Sequence, residues 1–128
     1  MSQDHTVLIV EDTYELAAVI QATLKHLSLS SHHSPSAEDA LEYLQTHTPQ
    51  LILLDINMPG MSGWEFLDIL WHTTPHRNIN VIVMTAFDSE TNRERGQKYG
   101  IRAYFSKPFR PSALKAAISD ILQLNGEG

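Results

Sequence analysis

The sequence contains no cysteine. Disulfide cross-links, thiolate zinc sites and a cysteine nucleophile are therefore excluded, and the absence fits a cytosolic compartment. Long apolar runs are missing as well. No stretch approaches the roughly 20 apolar residues of a membrane helix, and no basic leader precedes an apolar segment, so neither a membrane span nor a signal peptide is expected. Positive charge is sparse: nine Lys and Arg against fifteen Asp and Glu give a formal net charge of −6. The basic residues form no cluster, and proteins that track a phosphate backbone draw much of their affinity from such clusters. Direct nucleic-acid binding is not expected. The seven histidines are scattered apart from His32-His33, and a histidine metal site needs further ligands to converge on it.

What is present suits a folded module. Of 128 residues 42% are hydrophobic and 19% charged, enough to bury one core. The expectation is a single domain over residues 1–128, with a core of residues 6–124 and frayed ends. The length leaves no room for a second full domain.

Periodicity divides the chain into repeating strand and helix units. Residues 6–10 form a β-branched and apolar run, followed by Leu16, Val19, Ile20, Leu24 and Leu27 at helical spacing. The run shows no polar alternation, as in a strand covered on both faces. Ser36 caps a helix in which Ala37, Ala40, Leu41 and Leu44 share a face, and Glu38 and Asp39 favour its positive end. Residues 51–54 read as a buried strand, 63–71 as a helix and 79–84 as a strand. Residues 89–99 read as a polar helix closed by Gly100, along which Glu94 and Lys98 can pair. Residues 103–106 are the last strand, and Pro111 opens a helix with Leu114, Ala117, Ile118, Ile121 and Leu122 on one stripe. Residues 29–34, rich in Ser and His, fit only an edge strand. Five such units predict an α/β fold of the flavodoxin-like, doubly wound type: a five-stranded parallel sheet with five helices on its two faces.

In such sheets ligands bind beyond the carboxyl ends of the strands. The residues there are polar: Glu11 and Asp12 after the first strand, Asp55 after the third, Thr85 after the fourth and Lys107 after the fifth. Converging carboxylates raise one another's proton affinity unless a cation offsets them. An oxygen-ligated Mg²⁺ suits such a cluster better than a transition metal, and Lys107 opposes the remaining charge.

From residue 6 to about residue 124 the chain resembles the receiver domains of two-component response regulators. The resemblance rests on Glu11-Asp12, the run from Asp55 through Asn57, Met58, Pro59 and Gly60 to Gly63, then Thr85-Ala86 and Lys107-Pro108-Phe109. It implies that Asp55 is the phosphoacceptor and a metal ligand, that Asp12 binds Mg²⁺ directly, that Glu11 acts mainly through water and that Asn57 contributes its backbone carbonyl. Thr85 and Lys107 would bind phosphoryl oxygens, Tyr104 would be the aromatic that changes rotamer with Thr85, and Lys107-Pro108 would be cis. The implied donor is a histidine kinase or histidine phosphotransfer protein, and the implied downstream protein docks on the face of residues 89–124. Such a domain catalyses its own phosphorylation and dephosphorylation but is no turnover enzyme. Phe87, two residues after Thr85, stands where many relatives carry a polar side chain, a departure that bears on the lifetime of the phosphoryl group.

Other functions fit less well. A phosphohydrolase of the haloacid-dehalogenase type needs a second Asp for proton transfer where this chain has Asn57, which is no general acid. A flavodoxin-type module needs a phosphate-binding loop after the first strand, where Glu11, Asp12 and Glu15 would repel phosphate. A receiver-like interaction module that is never phosphorylated would not need every position of the site. Asp55 as a plain turn residue, Glu11-Asp12 as helix-start acids and Tyr104 as strand packing are the ordinary roles of those residue types. Trp64 and Trp71, seven apart on one helical face, read as packing residues.

Overall fold

The computed structural model describes residues 6–73, 78–86 and 89–124. In chain order the elements are β1 (Thr6–Val10), α1 (Tyr14–His26), β2 (Ser30–Ser34), α2 (Ala37–Leu44), β3 (Leu51–Asp55), α3 (Gly63–Trp71), β4 (Asn80–Thr85), α4 (Glu90–Gln97), β5 (Ala103–Ser106) and α5 (Pro111–Leu122). The strands form one sheet in the order β2-β1-β3-β4-β5, with every pairing parallel. This is the doubly wound, flavodoxin-like arrangement expected from the alternating units. The frayed ends and Phe87 named above lie outside the described residues, residue 124 being the last.

The two-residue side-chain period of a strand sorts the apolar runs onto two faces. Leu8, Val10, Ile52, Leu54, Val81 and Val83 point to one side, where they meet Ala40 and Leu44 of α2 and Phe66, Leu67 and Leu70 of α3. Val7, Ile9, Leu51, Leu53, Ile82 and Met84 point to the other, against Ile20 and Leu24 of α1 and Leu114 and Ile118 of α5. A run without polar alternation is thus what a strand buried on both faces requires. Among the described residues no helix is long and apolar enough to cross a membrane.

Several elements differ from expectation in extent: β2 begins at Ser30, one residue late, and β3 runs on to Asp55, one residue past the apolar run. β4 begins at Asn80 and runs to Thr85, one residue later at both ends than the apolar run. α4 is shorter than the polar segment 89–99: Ser89 is its N-cap, accepting a hydrogen bond from the Asn92 amide, and the chain turns through Gly100 at φ +68°. Glu94 and Lys98 do not pair; the Lys98 ammonium sits 5.0 Å from the centre of the Tyr99 ring. Gly96 is the one buried residue of α4. The helix is fastened through polar and aromatic contacts instead. The Arg95 guanidinium lies 4.6 Å from the Trp64 ring centre, and the Tyr99 hydroxyl donates to Asp68 of α3 at 3.3 Å.

α3 starts where Ser62 and Glu65 form a capping box: the Ser62 hydroxyl accepts from the Glu65 amide at 3.2 Å, and the Glu65 carboxylate accepts from the Ser62 amide at 2.9 Å. This fixes the end of the loop that leaves β3. Loss of an N-cap hydroxyl typically costs about 1 kcal/mol. Ser62→Ala should lower the free energy of urea unfolding by about that amount, without changing the slope of the transition.

Candidate functional site

Parallel strands place their carboxyl ends on one rim, and the strand order reverses between β1 and β3. Glu11 and Asp12 follow β1, Asp55 ends β3, Thr85 ends β4 and Lys107 follows β5. One carboxylate oxygen from each of Glu11, Asp12 and Asp55 lies within 4.8 Å of the others. The Lys107 ammonium donates to Glu11 Oε1 at 2.8 Å and stands 3.2 Å from Asp55 Oδ2. It is held there because its backbone amide donates to the Thr85 carbonyl at 2.8 Å, one residue past β5. The Lys107-Pro108 bond is cis. Glu11, Asp55 and Thr85 are buried, whereas Asp12 is exposed.

Burial of this much like charge perturbs the groups. Burial is the main cause that lifts the Asp55 carboxyl above its ordinary range, and the Glu11 charge adds to it; Lys107 and the Asn57 amide oppose the shift without cancelling it. For Lys107 burial acts to lower the ammonium, but the hydrogen bond to Glu11 and the charges of Asp55 and Glu11 outweigh it and hold the group above the usual lysine range. The rim therefore carries an excess of negative charge that a single lysine does not neutralise. A donor set of oxygens alone suits a hard divalent cation such as Mg²⁺, which accepts one or two carboxylates and completes its shell with water or phosphate oxygens. The residues fit that ion.

The loop after β3 is shaped by close contacts. The Asn57 amide donates to Asp55 Oδ1 at 3.0 Å, and the Asn57 side-chain nitrogen donates to the Thr85 hydroxyl oxygen at 2.9 Å. Glu38 of α2 reaches across to accept from the Met61 amide at 3.1 Å. Gly63 lets the loop close on itself, since a Cβ there would stand 2.7 Å from the Ile56 Cα. Tyr104 is half-buried on β5. Its hydroxyl donates toward the carbonyls of Asn92 and Arg93 in α4 at 3.4 Å each, with the Arg93 guanidinium 5.1 Å from the ring centre. A Cβ at Gly96 would overlap that hydroxyl.

Glu11, Asp12, Asp55, Thr85 and Lys107, singled out by their places at strand ends, thus share one rim with Asn57, named from the resemblance, and Tyr104 lies apart from it against α4. Four contributions were not evident from sequence. Asn57 acts through its side chain as well as its backbone, Glu38 ties α2 to the acceptor loop, and Gly96 makes room for Tyr104. His33 Nε2 lies 2.6 Å from the Glu11 carbonyl. Glu38 shows only the ordinary signature of a helix-start acid, and Gly96 that of a weak helix former. The unusual composition of β2 was the one visible sign of His33.

The response regulator receiver domain family model matches residues 7–119. Response regulator Rre1 of Synechocystis sp. is 31% identical over 123 residues, covering 95% of this chain and 53% of that protein. The phosphate regulon transcriptional regulatory protein PhoB of Escherichia coli is 32% identical over 117 residues, covering 91% of this chain and 51% of that protein. The chain therefore spans about half the length of these curated relatives. The structure of a CheY-like response regulator receiver domain protein from Methanospirillum hungatei superposes with a TM-score of 0.86 at 25% identity, covering 94% of this chain and 95% of that one.

The raised carboxyl of Asp55 has a consequence for stability. An acid whose folded pKa lies above its unfolded value destabilises the fold once it ionises: the penalty is absent below the unfolded pKa, grows as pH rises toward the folded value and is complete above it. Without divalent cations, Asp55→Asn should melt at a higher temperature than the wild type at neutral pH. The difference should vanish as pH falls below the ordinary Asp range, as followed by circular dichroism.

Proposed function

Because the chain belongs to the response regulator receiver domain family, we propose that Asp55 accepts a phosphoryl group and that the modified domain changes the surface it offers to a protein partner. The observation that carries this reading is the meeting of Glu11, Asp12, Asp55 and Lys107 at one rim. The donor is the phosphohistidine of a histidine kinase or histidine phosphotransfer protein. A carboxylate oxygen of Asp55 forms a bond to phosphorus as the bond from phosphorus to the donor's imidazole nitrogen breaks, and the electron pair stays on that nitrogen. Water later attacks the phosphorus as its bond to the Asp55 oxygen breaks, releasing inorganic phosphate and restoring the carboxylate.

Transfer of this kind needs positioning and charge stabilisation more than covalent help. Asp12, Asp55 and the Asn57 carbonyl would hold Mg²⁺, which supplies positive charge to the transferring oxygens, while Glu11 acts mainly through water. The contacts of Glu11 support that division, since its two oxygens are engaged by Lys107 and by the Thr13 amide at 3.1 Å, and Asp12 is the exposed acid. Lys107 stands beside Asp55 Oδ2 and binds a phosphoryl oxygen once it arrives. The Thr85 hydroxyl oxygen accepts from Asn57, and its O–H would donate to another phosphoryl oxygen once that group arrives.

Switching follows from what Tyr104 touches. When Thr85 moves toward the phosphoryl group, the Tyr104 ring leaves its place over Gly96 and turns into the vacated space, releasing its bonds to the Asn92 and Arg93 carbonyls. α4, with little apolar burial, shifts at small cost. The output surface is the face built from α4, β5 and α5, within residues 89–124, and it docks a downstream protein.

Two measurements test the reading. With Mg²⁺ and acetyl phosphate, the intact mass should rise by one phosphoryl group, and Asp55→Ala should show no rise. Equal labelling of the variant would falsify the assignment, and no labelling of the wild type would favour a binding module that is never phosphorylated. With beryllofluoride and Mg²⁺ as a phosphoryl mimic, Tyr104 ring resonances and amide exchange in α4 should change in the wild type and stay as in the free protein in Thr85→Ala. Changes confined to the loop after β3 would rule out this switching route.

A further inference from the structure

β2 is the one strand with a polar sequence, Ser-Ser-His-His-Ser, and its last two residues both reach Glu11. The Glu11 amide donates to the Ser34 carbonyl at 3.1 Å, one residue past the last ladder pair of Val10 with Ser34. The Glu11 carbonyl then accepts from His33 Nε2 at 2.6 Å. A carbonyl can only accept, so Nε2 carries the proton. The ring is steadied from outside by Tyr14, edge-on at 5.0 Å between centres and itself 67% exposed.

The bonded carbonyl belongs to the peptide that joins Glu11 to Asp12. Fixing that peptide plane fixes the direction in which Asp12 leaves the backbone, at a point where the β1–β2 ladder has ended. The side chain of Glu11 is already pinned by Lys107 and the Thr13 amide. Asp12, exposed and carried on a loop, has no such pinning in its own side chain among the contacts of the described residues, so its aim depends on its main chain.

We infer that His33 is a positioning residue for the cation site: its hydrogen bond to the Glu11 carbonyl orients Asp12 for the metal. This rests on the reading of the rim as a Mg²⁺ site. It also accounts for a strand whose composition otherwise argues against a strand at all.

The alternative is a histidine that merely packs against Tyr14 at a sheet edge, which predicts altered stability with unaltered metal binding. The test is calorimetric titration of the whole chain with Mg²⁺ at neutral pH, alongside thermal midpoints. Removing a group that orients a metal ligand typically weakens affinity by about 10- to 100-fold, so His33→Leu should weaken Mg²⁺ binding by about tenfold. His33→Asn, too short to reach the carbonyl but tolerated at a polar edge, should weaken it similarly and serves if the Leu variant does not fold. His33→Gln, whose side-chain amide can reach the same carbonyl, should bind close to the wild type. Wild-type affinity in both the Leu and Asn variants, or equal losses in Gln and Asn, would overturn the inference. Asp12→Ala separates the two readings. If it loses Mg²⁺ while the His33 variants keep it, the site stands and the role of His33 falls; if it binds as the wild type does, the cation site itself is wrong and the inference falls with it.

Discussion

The Lys107 ammonium spans the gap between Glu11 and Asp55, at 2.8 and 3.2 Å, and the arrangement of the rim depends on that bridge. Two unit charges about 4 Å apart interact by about 4 kcal/mol at an effective dielectric near 20. Bringing three carboxylates together on one ammonium therefore leaves repulsion that the rest of the molecule must contain. The containment comes from the strands beneath. Val7, Leu8, Ile9 and Val10 in β1 and Leu51, Ile52, Leu53 and Leu54 in β3 are all fully buried, and each such side chain contributes about 1.5–3 kcal/mol. The sheet can hold the acids close because the β1 and β3 side chains beneath them are apolar and packed on both faces.

This division between an apolar sheet and a charged rim explains how much could be read from the sequence. Uninterrupted apolar runs in β1, β3 and β4 report burial on both faces, so their positions were legible, and the polar residues that end each run marked the rim. α3 was legible to the residue, the helix spanning the same residues 63–71 that the sequence reads as helix. The boundaries of α4 were not, since a helix fastened by Arg95 on Trp64 and by Tyr99 on Asp68 leaves no stripe to count along.

Side-chain reach is the other limit. Glu38 looks like any acid in a first helical turn, and nothing local says that it bonds to Met61, 23 residues away. The same holds for the bond from Asn57 to Thr85. β2 carried a sign of a different kind. His32 stacks on Tyr43 at 4.0 Å and Tyr43 on His47 at 4.1 Å, while His33 turns the other way to the Glu11 carbonyl. The strand is poor in β-formers because its two histidines are spent on specific contacts, and one β-neighbour suffices to hold it at the edge.

The shallow burial of α4 has a consequence for descent. Gly96 is the one position of the helix that the interior constrains, because its missing Cβ makes room for the Tyr104 hydroxyl. Apart from Arg93 and Arg95, which lie over the Tyr104 and Trp64 rings, the outward residues of that helix contribute little to folding, so exchanging them leaves stability nearly unchanged. If this face docks the downstream protein as proposed, a lineage can redraw which protein it recognises, one substitution at a time, while the rim and the sheet stay as they are. On that reading partner choice is inherited separately from phosphoryl chemistry.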